Sequence, residues 1–114
     1  MRNTRPISFV VAARKDLEAF PPGAQLSVRR ELTVAAEGGL GPNSKPLKGI
    51  DGGVFEIALK HRGDAFRVVY AARIGDAIWV LHAFQKKSKT GIKTPRHEID
   101  LVRSRLARLK ELLK

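Results

Sequence analysis

Apolar positions along this chain repeat with two periods, one near 3.6 and one of 2, and the switch between them predicts the order of elements. Residues 7–11, Ile-Ser-Phe-Val-Val, form a β-branched and aromatic run too short for a helix, which predicts a first strand. Residues 12–20 then turn helical, with Leu17 and Phe20 three apart, until Pro21-Pro22-Gly23 breaks the segment. A second helix is expected over 24–37, where Val28, Leu32 and Ala35 share one face and Arg29, Arg30 and Glu31 lie away from it. Residues 38–53 are rich in glycine and proline and read as an ordered loop.

Three β-type runs follow at close spacing. Val54–Lys60 alternates, with Phe55, Ile57 and Leu59 on one face and Glu56, Ala58 and Lys60 on the other. His61-Arg62-Gly63-Asp64 is the turn. In Phe66–Ile74, Phe66, Val68, Tyr70 and Ile74 share one parity, and Arg67, Val69, Ala71 and Arg73 the opposite one. Gly75-Asp76 is a two-residue hairpin signal, and Ala77–Gln85 is the most hydrophobic strand, expected at the sheet centre. There, Ile78, Val80, His82, Phe84 and Lys86 fall on one parity, and Trp79, Leu81, Ala83, Gln85 and Lys87 on the other.

A last helix is predicted with Thr94 as N-cap and Pro95 at its first position. Its narrow apolar stripe, Ile99, Val102, Leu106, Leu109 and Leu113, must cover the sheet or another chain. The expected fold is therefore α+β: an antiparallel sheet packed on two N-terminal helices, ending in a C-terminal helix, with residues 1–114 as a single domain.

Charge changes the picture of partners but not of the fold. The 114 residues carry a formal net charge of +11, and a charged fraction of 29% is offset by 43% hydrophobic residues, enough to fold. Nucleic acid, a ribosome, an anionic membrane surface or an acidic protein would all accept such a surface. The absence of cysteine excludes disulfides and thiolate zinc sites. Three histidines without paired spacing give no metal signature, so neither metal nor cofactor is expected. The apolar run at 7–11 is shorter than a signal peptide or membrane span needs, and a soluble, cytoplasmic protein is expected.

Several motifs then occur in a fixed order. Leu47-Lys48-Gly49 precedes the sheet, Phe55-Glu56-Ile57 opens a strand, and Phe66-Arg67-Val68-Val69-Tyr70 lies on the next. Leu81-His82-Ala83-Phe84-Gln85-Lys86-Lys87 ends the last strand, and Thr94-Pro95 with Glu98-Ile99 opens the final helix. This series resembles the RelE/HigB/ParE toxin superfamily, most closely its phage-derived HigB-like branch. The resemblance implies a RelE-like fold and the toxin of a type II toxin–antitoxin pair: a metal-independent endoribonuclease that cleaves messenger RNA on the ribosome. It also implies a cognate antitoxin, expected to be a helix-turn-helix protein encoded next to it.

In such an enzyme the ribose 2′-hydroxyl attacks its neighbouring phosphate, so one proton must be removed, the phosphorane stabilised and the leaving 5′-oxygen protonated. Arg67 matches the family's strand arginine and would clamp the phosphate. Lys87 matches the basic position after the last strand. By the parity of Ala83 and Gln85, Lys87 rather than Lys86 is expected to point into the site. His97 or Glu56 would move the proton, although a cross-strand ion pair with Arg67 or Arg73 explains Glu56 as well. Lys60, Lys86, Arg73 and Lys89 would bind the RNA backbone.

His82 reads as a general base or, at least as well by its parity with Val80 and Phe84, as a core or strand-edge histidine bonded to a carbonyl. Trp79 and Phe84 read as core aromatics before base-stacking ones. Two positions depart from the family pattern: Glu56 and Ala58 stand where some members carry basic residues, and the sole tyrosine, Tyr70, is on a core-facing parity rather than near the C-terminus. These departures keep two alternatives open, a ParE-like DNA gyrase inhibitor without nuclease activity and a non-toxic phage-derived basic binding protein.

Overall fold

A computed structural model describes residues 4–50, 52–87 and 93–113. In chain order these form strand β1 (Ile7–Phe9), helices α1 (Val11–Glu18) and α2 (Pro22–Ala36), strands β2 (Ser44–Pro46), β3 (Val54–His61), β4 (Asp64–Ile74) and β5 (Ala77–Lys86), and helix α3 (Arg96–Leu112). The five strands make one sheet in the order β1-β5-β4-β3-β2. The predicted α+β class and the two N-terminal plus one C-terminal helices are all present.

The sheet differs from expectation in three ways. It is mixed, because β1 pairs in parallel with β5 after α1 and α2 cross over. The segment expected to be only loop contributes an edge strand, β2, antiparallel to β3. The central strand is β4, not the more hydrophobic β5. Both β4 and β5 are buried on two faces along their middles, which is why their sequences run nearly continuously apolar.

Local chemistry accounts for the boundaries. Pro21-Pro22 ends one helix and opens the next, because Pro22 sits at the start of α2, where its missing N–H costs nothing. Arg62 and Gly63 both take positive φ, 52° and 87°, as a tight turn between β3 and β4 requires. Thr94 does not cap α3 with its side chain; the helix begins one residue later than predicted, with Pro95 at the cap position.

Two cores result. Leu17 of α1, Val28 and Leu32 of α2, and Phe20 between the two helices pack on Ile57, Phe66, Val68, Tyr70, Ile78 and Val80. On the opposite face, Val102, Leu106 and Leu109 of α3 cover Val54, Val69, Ala71 and Leu81. The α3 stripe thus does cover the sheet, except at its end, where Leu113 is half exposed.

One irregularity decides which side chains share a face. Tyr70 pairs with Val80 and Val69 with His82, so Leu81 is an extra residue in β5. Beyond this bulge the parity of β5 reverses. His82, Phe84 and Lys86 join Glu56, Ala58, Lys60, Ala65 and Arg67 on the α3 side of the sheet, whereas Val80 and Ala83 face α1 and α2. A second shift, between Ala71 and Ile74, carries Ile74 to the α3 side and away from the face of Tyr70.

Candidate active site

Helix α3 covers only part of its face of the sheet. Past its first turn the cross-strand rows Ala58–Arg67–Phe84 and Lys60–Ala65–Lys86 form the floor of an open region. Arg67 lines a cleft of about 420 Å³ with Ala58, Lys60 and Ala65, which also takes in Asn43 and, from the α1–α2 side, Ser27 and Leu59. On the other side of the same rows, Lys86 lines a cleft of about 510 Å³ with Phe84, Thr94, Pro95, His97 and Glu98.

Arg67 is held from behind. Its Nη1 donates to Glu56 Oε1 at 3.0 Å, the two residues lying diagonally across β3 and β4. Thr94 directs its hydroxyl to the other carboxylate oxygen of Glu56. Glu56 is 1% exposed, too enclosed to reach a substrate hydroxyl, and its geometry makes it the orienter of Arg67. Of the two sequence readings of Glu56, the ion pair is the one the side chains form.

Lys86, not Lys87, shares the face of Arg67. The parity expected from Ala83 and Gln85 fails because the Leu81 bulge inserts an extra residue into β5 and reverses the direction of every side chain beyond it. Lys87 is exposed beyond the end of β5, at the rim of the cleft. Burial, and then the nearby Arg67 charge, lower the pKa of the Lys86 ammonium, with Glu56 opposing. A lysine so placed gives up its proton more readily than an ordinary one.

His97 stands in the first turn of α3, 80% exposed, with Nε2 3.5 Å from Glu98 Oε1. Lys60 is exposed at the end of β3 beside Arg67. Lys45, which sequence reasoning missed because β2 was not foreseen, pairs directly with Glu56 and adds an exposed cation to the region. Arg73 is not part of this cluster; it lies near the opposite end of β4, about 20 Å along the strand from Arg67. Lys89 lies outside the described residues.

His82 also departs from its expected setting. It is buried on the α3 side, and both ring nitrogens meet side chains rather than a carbonyl. Arg105 Nη1 lies 3.0 Å from Nδ1, and Glu98 Oε2 lies 3.3 Å from Nε2. Because arginine can only donate, Nδ1 accepts and Nε2–H donates to Glu98. Arg105 also donates to Leu81 O at 2.9 Å, tying α3 to the bulge itself. Burial, reinforced by Arg105 and opposed by Glu98, lowers the His82 pKa and keeps the ring neutral.

Residues 15–107 match the family described as phage-derived protein Gp49-like. The chain belongs to that family. Gp49-like proteins are RelE-type toxins, so the chain is a member of the RelE superfamily, as its motif order suggests. The fold agrees: a double-arginine mutant of the E. coli toxin RelE, solved in its free state, superimposes with a TM-score of 0.63 at 15% identity, covering 93% of this chain and 98% of that one. No curated protein sequence matches the chain. Among the described residues of this Gp49-like toxin, no helix is long and apolar enough to cross a membrane, and no three His, Asp or Glu side chains gather as a metal site would require.

Proposed function

We propose that this Gp49-like toxin is an endoribonuclease that cleaves messenger RNA on the ribosome without a metal ion. The observation that carries the reading is a carboxylate-oriented arginine and a partly desolvated lysine on one face of the sheet, each buried except where it lines a cleft. Arg67 would bind the non-bridging oxygens of the scissile phosphate and stabilise the phosphorane. His97 would accept the proton of the 2′-hydroxyl as its oxygen attacks phosphorus. Lys86, with its lowered pKa, would protonate the 5′-oxygen as the P–O5′ bond breaks. The products are a 2′,3′-cyclic phosphate and a 5′-hydroxyl, and each proton is accounted for.

Lys60, Lys45 and Lys87 border the same region and would hold backbone phosphates on either side. The same basic face suits an acidic segment of a cognate antitoxin. Primer extension on messenger RNA after induced expression tests the proposal. Discrete cleavages that disappear in Lys86→Met support it. Growth arrest with a DNA-damage response and intact messenger RNA would instead favour the gyrase-inhibitor reading.

A further inference from the structure

The cleavage chemistry uses Arg67, Lys86 and His97 but leaves unexplained an aromatic ring in their midst. Phe84 pairs directly with Arg67 across β4 and β5, and precedes Lys86 by two residues on the same face. It belongs to neither hydrophobic core, is only half-buried, and lines the cleft with Lys86, Thr94, Pro95 and His97. An apolar ring at the mouth of a basic cleft is not there to fill the interior.

The ring is also held. It stacks on His82 with centroids 5.0 Å apart and planes 23° from parallel. His82 is itself clamped between Arg105 and Glu98. Phe84 therefore rests on a rigid floor formed by a residue that cannot turn without breaking its bonds to α3.

Resting on the ribonuclease reading, we propose that Phe84 is the stacking platform for a nucleobase adjoining the cleaved linkage. The spacing suits a nucleotide. Cross-strand partners stand about 5 Å apart, comparable to the separation of a base from its own phosphate, so a base on Phe84 leaves its phosphate within reach of Arg67 and Lys86. Stacking gives affinity without base identity, since every base presents a π-face. Sequence-tolerant cleavage, with the register set by stacking rather than by hydrogen bonds to base edges, follows.

The test uses a single-stranded RNA oligonucleotide blocked by one 2′-deoxy sugar at its cleavage position, together with versions abasic at the nucleotide on either side. The parent should bind one abasic version on the order of 10-fold more weakly than the intact one. Phe84→Leu should bind the intact oligonucleotide about as weakly, and show no further loss with the abasic one. In Phe84→Trp, indole emission beyond that of Trp79 should be quenched by the intact oligonucleotide and not by that abasic version. A folded Phe84→Leu that retains the full abasic penalty, or a Phe84→Trp indifferent to the base, overturns the platform while leaving the ribonuclease reading standing. A parent that cleaves no messenger RNA on translating ribosomes overturns that reading, and the platform with it; a parent that cleaves there but binds neither the intact nor the abasic oligonucleotide overturns the platform alone.

Discussion

Removing Arg67 has two separable consequences, and the structure gives the size of one of them. Arg67→Ala takes away the guanidinium 3.0 Å from Glu56, whose side chain is 1% exposed and cannot turn to water. A buried carboxylate stripped of its partner costs about 3–5 kcal/mol. Thr94 still donates to Glu56 and the Lys86 charge is close by, so the lower end, about 3 kcal/mol, is expected. Sequence reasoning alone would expect the fold to be untouched, because it sees a polar-facing strand arginine and not a carboxylate buried behind it. The companion variant Arg67→Met with Glu56→Gln removes both charges and keeps a partner for Thr94. It should regain stability to within about 1–2 kcal/mol of the parent, since replacing both members of a buried pair is nearly neutral. Cleavage, by contrast, should fall on the order of 10²-fold in both, the loss expected for one transition-state donor. Urea unfolding read alongside cleavage of a labelled RNA separates the two effects. A paired variant that regains both stability and full cleavage would refute the role of Arg67; an Arg67→Ala as stable as the parent would refute the ion-pair argument.

Three further outcomes are expected. Leu106→Ala, at a position 6% exposed on the sheet-facing side of α3, should cost about 2–4 kcal/mol in urea unfolding, and unchanged stability would mean that α3 is not docked on the sheet. Gly41→Ala would bring a methyl group 2.5 Å from the Glu31 carboxylate, which already accepts Asn43 N–H and the Ser44 hydroxyl; losing these bonds should cost about 2–3 kcal/mol, whereas a neutral Gly41→Ala would show that Glu31 moves freely. Because the folded-state pKa of His82 lies below its ordinary 6.5, the unfolded chain binds more protons between the two values; the stabilisation is present above 6.5 and lost as pH falls through the folded value. Thermal unfolding at pH 7.5 and 5.5 should show that loss in the parent and a smaller one in His82→Gln, and equal losses would remove His82 as its source.

The parts of this architecture legible in sequence are those set by local periodicity. The three helices, the three long strands, and the burial of Val28, Leu32, Val68, Tyr70, Val102 and Leu106 all follow from spacing alone. The parts that were not legible depend on pairing between distant segments. Ser44–Pro46 has no β-type composition and is a strand only because β3 offers it an edge. The Leu81 bulge carries no glycine or other local mark, yet it reverses the parity of everything after it, exchanging Lys86 for Lys87 and moving Phe84 and His82 from the α1–α2 core to the cleft side. Glu98 and Arg105 looked like ordinary polar positions on an amphipathic helix until His82 was placed beneath them.

Cleavage of RNA at the Arg67–Lys86 face by attack of the 2′-hydroxyl, as proposed above, has a direct test. Purified toxin incubated with translating ribosomes and a 5′-labelled messenger RNA should release fragments ending in 2′,3′-cyclic phosphate, and Lys86→Met should release far fewer. Intact messenger RNA at toxin concentrations that arrest growth, or fragments ending in a 3′-hydroxyl, would contradict it.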